Sequence, residues 1–406
     1  MKRFALLIAL LMLLGGSRAL AADWPQWRGP DRTGISRETK LLKNWPKGGP
    51  KKLWSIKTPG KGYGSPSVVG DTIYVTGTEG NRGLLYAIGL DGKLKWKQAY
   101  GPEWTKSHAQ ARSQPTIVDG LAYVYGGLGT AACLDAKTGK LKWSVETLQK
   151  FKGSNITWGI AESPLVFDDK FICHPGGPGA AVVALNRLTG ETIWTTKGLS
   201  DKSSYCSPLL VTCGRTREIV TQTEKNIVGI EAETGKVLWR SPQHNRCGVH
   251  PNTPLSFDGM IFTTCGYGYG STLLKLSDDG RKASEIWRER KLDNHFQGVL
   301  YLGGLIYGSP AKGRLCCLEP KVGKIVFTAQ DVRKAAIIFA DKRLYAYDEM
   351  GGKVTLLEIT PAEFKVHGSF AVTEGSGPHW SHPVVANGRL YIRRGEALLC
   401  YDVRAK

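Results

Sequence analysis

Cys133-Leu134-Asp135-Ala136-Lys137-Thr138-Gly139, running on through Lys140-Leu141-Lys142-Trp143, is the stretch that decides the fold. An apolar run turns over on a polar segment ending in Gly and returns as a strand that finishes on an aromatic. The same frame ends at Trp96, Trp194, Trp239 and Trp287. Phe327 takes the aromatic place in a sixth unit, and the seventh ends less regularly near Phe364. Alternation at period two with Gly or Asp-Gly turns argues for strands and against helices.

Working outward, each of these units opens on a small residue followed by Pro. Ser65-Pro66 leads to Ile73-Tyr74-Val75, and Gln114-Pro115 to Ala122-Tyr123-Val124. The step recurs at Ser163-Pro164, Ser207-Pro208, Thr253-Pro254 and His382-Pro383. Two copies keep the strands and lose the proline, at Gly298-Val299-Leu300 and Ala336-Ile337-Ile338. That makes eight copies at intervals of 38 to 49 residues. Each predicts four strands: an inner one after the Pro step, a second, a third, and an outer one carrying the Trp.

The two ends complement each other. The eighth unit, from His382 to Arg404, stops before any Trp strand, whereas Gly49-Pro50-Lys51-Lys52-Leu53-Trp54 is a Trp strand with nothing before it. A closed ring in which residues near 51–57 complete the last blade satisfies both ends and removes the open edge an uncapped solenoid would expose. The fold class is therefore all-β, an eight-bladed β-propeller of four-stranded antiparallel blades closed by an N-terminal strand. Removing the chain to Thr58 is expected to destabilise the ring, and removing only residues 22–44 to cost much less.

The frame Leu-Asp-Ala-x-Thr-Gly-Lys-x-x-Trp at Leu134–Trp143, nearly repeated at Ile230–Trp239, resembles the tryptophan-docking motif of the pyrroloquinoline-quinone (PQQ) propellers. The resemblance covers the chain from Lys51 onward. It implies that each Trp packs between adjacent blades, its Gly turn letting the next blade approach. The opening Asp23-Trp24-Pro25-Gln26-Trp27-Arg28-Gly29 resembles the lead segment of a secreted bacterial branch of that superfamily.

Lys2 and Arg3 precede an uninterrupted apolar run from Phe4 to Leu14, and Ala19-Leu20-Ala21 follows. That pattern predicts a cleaved signal peptide over 1–21, too short in its apolar core to span a bilayer. The expected organisation is then a lead segment over 22–50 and the propeller over 51–406, in the periplasm or outside the cell. No later run is long enough for a transmembrane helix.

Without the leader, 52 basic residues stand against 35 acidic, a net of +17. In Lys93-Leu94-Lys95-Trp96-Lys97 the lysines alternate as on the wet face of an outer strand, and no block of five like charges occurs. Nucleic acid is thus disfavoured as a partner. The nine cysteines form no C-x-x-C pair and read mostly as small buried apolar groups. Cys316-Cys317 aligns with Ala132-Cys133 in a third strand, away from the channel.

Propeller ligands gather where inner strands meet the central channel, and the residues before each Pro step are polar and aromatic. They include His108, Arg112, Trp158, Glu162, Tyr205, His250, Asn252, Asp293, Asn294, His295, Gln297, His379, Trp380 and His382. By resemblance to the quinoprotein dehydrogenases, Glu162 and Asn252 would ligate a calcium ion and Asp293 would act as base. Arg112 would hold a quinone carboxylate, Trp158 or Trp380 would form the stacking floor, and His295 would face the cofactor. Two readings follow. One is a binding or scaffolding propeller for a ligand or envelope protein, for which the outer-membrane assembly propellers are the family's precedent. The other is a PQQ- and calcium-dependent dehydrogenase of alcohols or sugars. Short units leave little room for the long substrate loops of such dehydrogenases, and Cys316-Cys317 is misplaced for their disulfide.

Overall fold

The structure, a computed structural model, describes residues 23–405, so the expected signal peptide over 1–21 lies outside the described residues. Eight antiparallel sheets follow one another along the chain, each built in sequence order from the channel outward. Blades 1 to 6 occupy residues 67–102, 116–146, 165–195, 209–242, 255–289 and 299–333, and blade 7 residues 335–371. Blade 8 supplies only Val384–Ala386, Arg389–Arg394 and Ala397–Asp402. Lys51–Ile56 completes it, pairing antiparallel with the last strand from Lys51↔Asp402 to Ile56↔Leu398. The expected closed ring is what forms.

Burial explains the strand pattern. Second and third strands such as Leu121–Tyr125 and Thr130–Asp135 are buried nearly throughout, because neighbouring blades cover both of their faces. Outer strands such as Leu141–Glu146 are largely exposed, with Trp143 the buried exception. The apolar core lies between blades. Tyr123, Cys133 and Trp143 of blade 2 pack with Phe171, Val183 and Leu185 of blade 3.

The tryptophans join blade to blade. Trp96 donates its indole N–H to Ala136 O, Trp143 to Arg187 O, Trp194 to Ala232 O and Trp287 to Pro320 O, at 2.7 to 3.2 Å, each on the following blade. Trp54 does the same to Leu90 O at 2.8 Å, carrying blade 8 onto blade 1. Glycine is required at the receiving turn. A Cβ at Gly139, whose φ is +76°, would stand 2.6 Å from the Trp96 ring. Trp239 departs from the pattern and turns into its own blade.

The lead segment is not peripheral. Trp24 is 1% exposed and bridges to Val68 of blade 1, while Pro25 O accepts from Ile117 N of blade 2. Arg32 donates to Ser163 O and Pro164 O of blade 3, and Trp27 to Thr253 Oγ1 at the start of blade 5. Arg28 reaches Val299 O of blade 6 and Ile337 O of blade 7. Ile35–Ser36 adds a fifth, parallel strand to blade 7. These residues plug the channel at one end. Against the expectation that removing 22–44 costs much less than truncation to Thr58, the segment satisfies backbone carbonyls of several inner strands at once, and its loss would leave them without donors.

All nine cysteines are single thiols, seven of them buried. Cys316 and Cys317 lie in the third strand Arg314–Glu319, opposite Gly308 and Tyr307, as the alignment with Cys133 implies. Burial pushes the Cys316 thiol up to about 12, so it stays protonated at neutral pH.

Candidate functional site

The loops that feed the inner strands converge on a cavity of about 220 Å³ at the end of the channel opposite the plug's outer side. Trp27 and His382 form its bottom, their ring centroids 4.6 Å apart. The walls are aromatic: Trp158 and Tyr205 on one side, Tyr63 and Trp380 on another, Tyr267 and Phe296 on a third. No Asp or Glu is among the lining residues.

His382 has a fixed protonation state. Its Nδ1 stands 3.3 Å from an Arg28 nitrogen and its Nε2 2.9 Å from Phe296 O. A guanidinium only donates and a carbonyl only accepts, so the ring is neutral with its proton on Nε2. Burial, reinforced by the Arg28 charge, draws its pKa down to about 3. Burial likewise brings His295 to about 4, with the Lys334 charge adding to the effect. The cavity thus offers the neutral imidazoles of His382 and His295 and the guanidinium of Arg112. That guanidinium already donates to the carbonyls of Trp158, Gly159 and His108.

Four of the residues expected at a ligand, Arg112, Trp158, His295 and Trp380, are brought together here. The other three are not. Glu162 is fully buried behind the wall, its Oε2 2.6 Å from His174 Nδ1 and its Oε1 accepting from His174 N at 2.9 Å. The Asn252 amide nitrogen donates to Thr264 O, Asn294 O and His295 O, and its oxygen accepts from Gly298 N. Asp293 accepts from Gly268 N and Gly270 N at 2.8 Å each, closing the Gly-Tyr-Gly-Tyr-Gly hairpin between two strands of blade 5. It lines a different groove. His379 is turned away to Tyr347 Oη at 2.6 Å, so His379 and His382 do not form a metal pair.

Sequence reasoning missed Trp27, Tyr63, Tyr267 and Phe296. Tyr63 lies two residues before a Ser-Pro step and was open to the same argument as Trp158. Trp27 carried no such signal, because the lead segment has no repeat to place it.

Calcium-bound PQQ can be tested against these residues. Calcium needs a carboxylate and further oxygens, yet the lining has no carboxylate and the two nominated ligands are committed to internal partners. The neighbouring ring pairs around the cavity are tilted to one another and form no parallel-walled slot between them. Tyr63 and Trp380 meet at 51°, His108 and Trp158 at 66°, and Phe296 and Trp380 at 69°. The residues present do not fit that group.

Comparison with known proteins places the fold in context. A family model described as "Outer membrane protein assembly factor BamB" matches residues 81–329, more than half of the chain. The assembly factor BamB of Burkholderia pseudomallei is 24% identical over 297 residues, 62% of this chain and 71% of that protein. A quinoprotein ethanol dehydrogenase of Pseudomonas aeruginosa is 28% identical over 191 residues, but the match spans only 30% of its length. Among solved structures, BamB from Moraxella catarrhalis superposes with a TM-score of 0.63 at 15% identity, over 87% of this chain and 99% of that one. A europium-containing methanol dehydrogenase reaches 0.66 at 15% identity, over 92% and 90%. At such identities the superpositions show the fold alone. The family match goes further, and with the closed ring and its docked tryptophans it shows that this chain belongs to the PQQ-repeat propeller family of the assembly factor BamB.

Proposed function

We propose that this chain is an exported propeller of the cell envelope that binds a ligand or a partner's side chains in its channel cavity and does not oxidise them. The observation that carries this reading is the lining of that cavity. Aromatic walls around the Arg112 guanidinium and the imidazoles of His295 and His382 provide contact area and hydrogen bonds, but no carboxylate to hold a metal or take a proton. Arg112, Trp158, His295 and Trp380 are the proposed binding residues. The envelope setting is supported by the basic, apolar and small-residue pattern of residues 2–21 and by the family's description. Among the described residues no helix is long and apolar enough to cross a membrane.

The test is calorimetric titration of the purified protein with PQQ, with and without calcium, beside an alcohol assay with an artificial electron acceptor. The expected result is no calcium-dependent affinity and no alcohol-dependent reduction of the acceptor. Micromolar or tighter PQQ binding, abolished by Glu162→Gln, would establish the dehydrogenase reading instead.

A further inference from the structure

A second concavity, of about 350 Å³, lies outside the channel beside blade 6. Two short segments face each other across it. One is the crossover from blade 5, with Arg290 and Lys291, and the other is the hairpin of blade 6, with Lys312 and Arg314. Ala311 N donates to Asp293 O at 2.9 Å and ties the two segments together. The four cations are therefore gathered around one point and not strung along a track.

Their charge is not balanced within the protein. All four are exposed, and none makes an ion pair or a side-chain hydrogen bond among the described residues. Asp293, the one carboxylate of the lining, is held by the two glycine amides. Arg333 opposes Arg314 directly across the strand pair, adding a fifth cation. Like charges placed opposite each other in a sheet are destabilising, so this grouping gains from a counter-charge supplied from outside. Other surface cations such as Lys137 and Lys140 are also without an ion pair among the described residues, but here four of them line one groove.

We propose that this groove is an anion-binding site for a compact, multiply charged phosphate group, gripped by the guanidinium forks of Arg290 and Arg314 and by the ammonium groups of Lys291 and Lys312. Paired arginines match the tetrahedral oxygens of phosphate in two-point contacts, and lysines add point charge. The floor supports the assignment. Thr328 offers a hydroxyl, and Cys316 and Ile325 present no negative charge. The clustering of the four cations around one groove favours a compact oxyanion over an extended acidic peptide.

The experiment is titration of the purified protein with inorganic pyrophosphate at low salt. The parent is compared with Arg290→Gln/Arg314→Gln and with Lys137→Gln/Lys140→Gln, which removes the same charge from an exposed turn of blade 2. The parent should bind one equivalent saturably, the groove variant should bind at least about tenfold more weakly, and the control should match the parent. Melting curves verify that both variants are folded. Phosphatidylglycerol vesicles and hexaglutamate form two further arms. Displacement of the protein from vesicles by pyrophosphate assigns the phosphate to a lipid headgroup, and pyrophosphate binding without any vesicle binding assigns it to a soluble ester. No saturable binding by the parent, equal weakening in the control, or tighter binding of hexaglutamate than of pyrophosphate would overturn the proposal.

Discussion

Trp239 donates its indole N–H to Glu218 Oε2 of its own blade at 2.7 Å, where five other tryptophans reach a carbonyl on the following blade. The reason lies in the next unit. In the blade 5 turn, Leu276-Ser277-Asp278-Asp279-Gly280, Gly280 packs on Cys213 of blade 4 and the Cys213 thiol lies 3.4 Å from Ser277 O, so a blade 4 side chain other than Trp239 meets this turn. Denied its usual seat, the Trp239 ring closes over Gly229 and leaves Glu218 buried.

That burial has a pH signature. Desolvation raises the Glu218 pKa to about 7, against a lowering effect of the Trp239 hydrogen bond. A carboxyl whose folded pKa lies above its unfolded value near 4.5 costs nothing in acid. Its penalty then accumulates as pH rises from about 4.5 to about 7. Glu218→Gln should match the parent below pH 4.5 and exceed it at pH 8 by up to about 3 kcal/mol. Urea denaturation across this range checks it, and a pH-independent difference would be inconsistent with an ionising Glu218.

Trp143→Ala or Trp239→Ala should each lower stability by roughly 3–5 kcal/mol, the cost of a large buried aromatic. The two differ in pH dependence. Trp143→Ala removes a contact with Arg187 O and should cost the same at pH 5 and pH 8. Trp239→Ala strips Glu218 of its donor and should cost more at pH 8. Chemical denaturation of both variants at the two pH values makes the comparison.

Blade number, strand order and ring closure were legible because they are written in local, repeated chemistry. The Gly that receives a Trp and the Lys that alternates along an outer strand each report their surroundings within ten residues. The Trp54 strand without partners was legible for the same reason. The plug was not, because Arg28 and Arg32 bind mainly backbone carbonyls, which any residue type supplies. The candidate site was half legible. Position before the Pro step found Arg112, Trp158 and Trp380, but it could not tell Glu162, whose carboxylate points back to His174, from a residue facing the channel.

Arg28→Met should therefore destabilise the ring by about 3 kcal/mol, since it leaves Val299 O, Ile337 O and Thr33 O without their charged donor. Deletion of 22–44 should cost at least as much and should approach the effect of truncation to Thr58. Thermal melts of the three proteins decide it. A 22–44 deletion that melts like the parent would contradict the plug.

Glu162→Gln keeps the shape of a fully buried group and removes its charge. The partners affected are His174, at 2.6 Å, and the buried Arg32, whose pKa the Glu162 charge supports. Loss of that charge leaves a cation uncompensated and should destabilise by about 3 kcal/mol. The same loss with and without calcium is the expected outcome. A calcium-dependent difference in melting temperature would return Glu162 to the role of a metal ligand.

The plug also dictates an order of events. Residues 24–36 precede every blade in the chain, yet their partners are spread from Val68 to Val385. Their full set of partners exists only when blades 1, 2, 3, 5, 6, 7 and 8 stand in place. A segment that precedes every blade thus has its complete seat only in the closed ring, like a hub among set spokes. Until then the channel is open at both ends, and Trp24 and Trp27 are exposed. Because Trp27 supplies the bottom, the ring becomes a cup only when the lead segment is seated, so the cavity depends on the closed ring and the lead segment together.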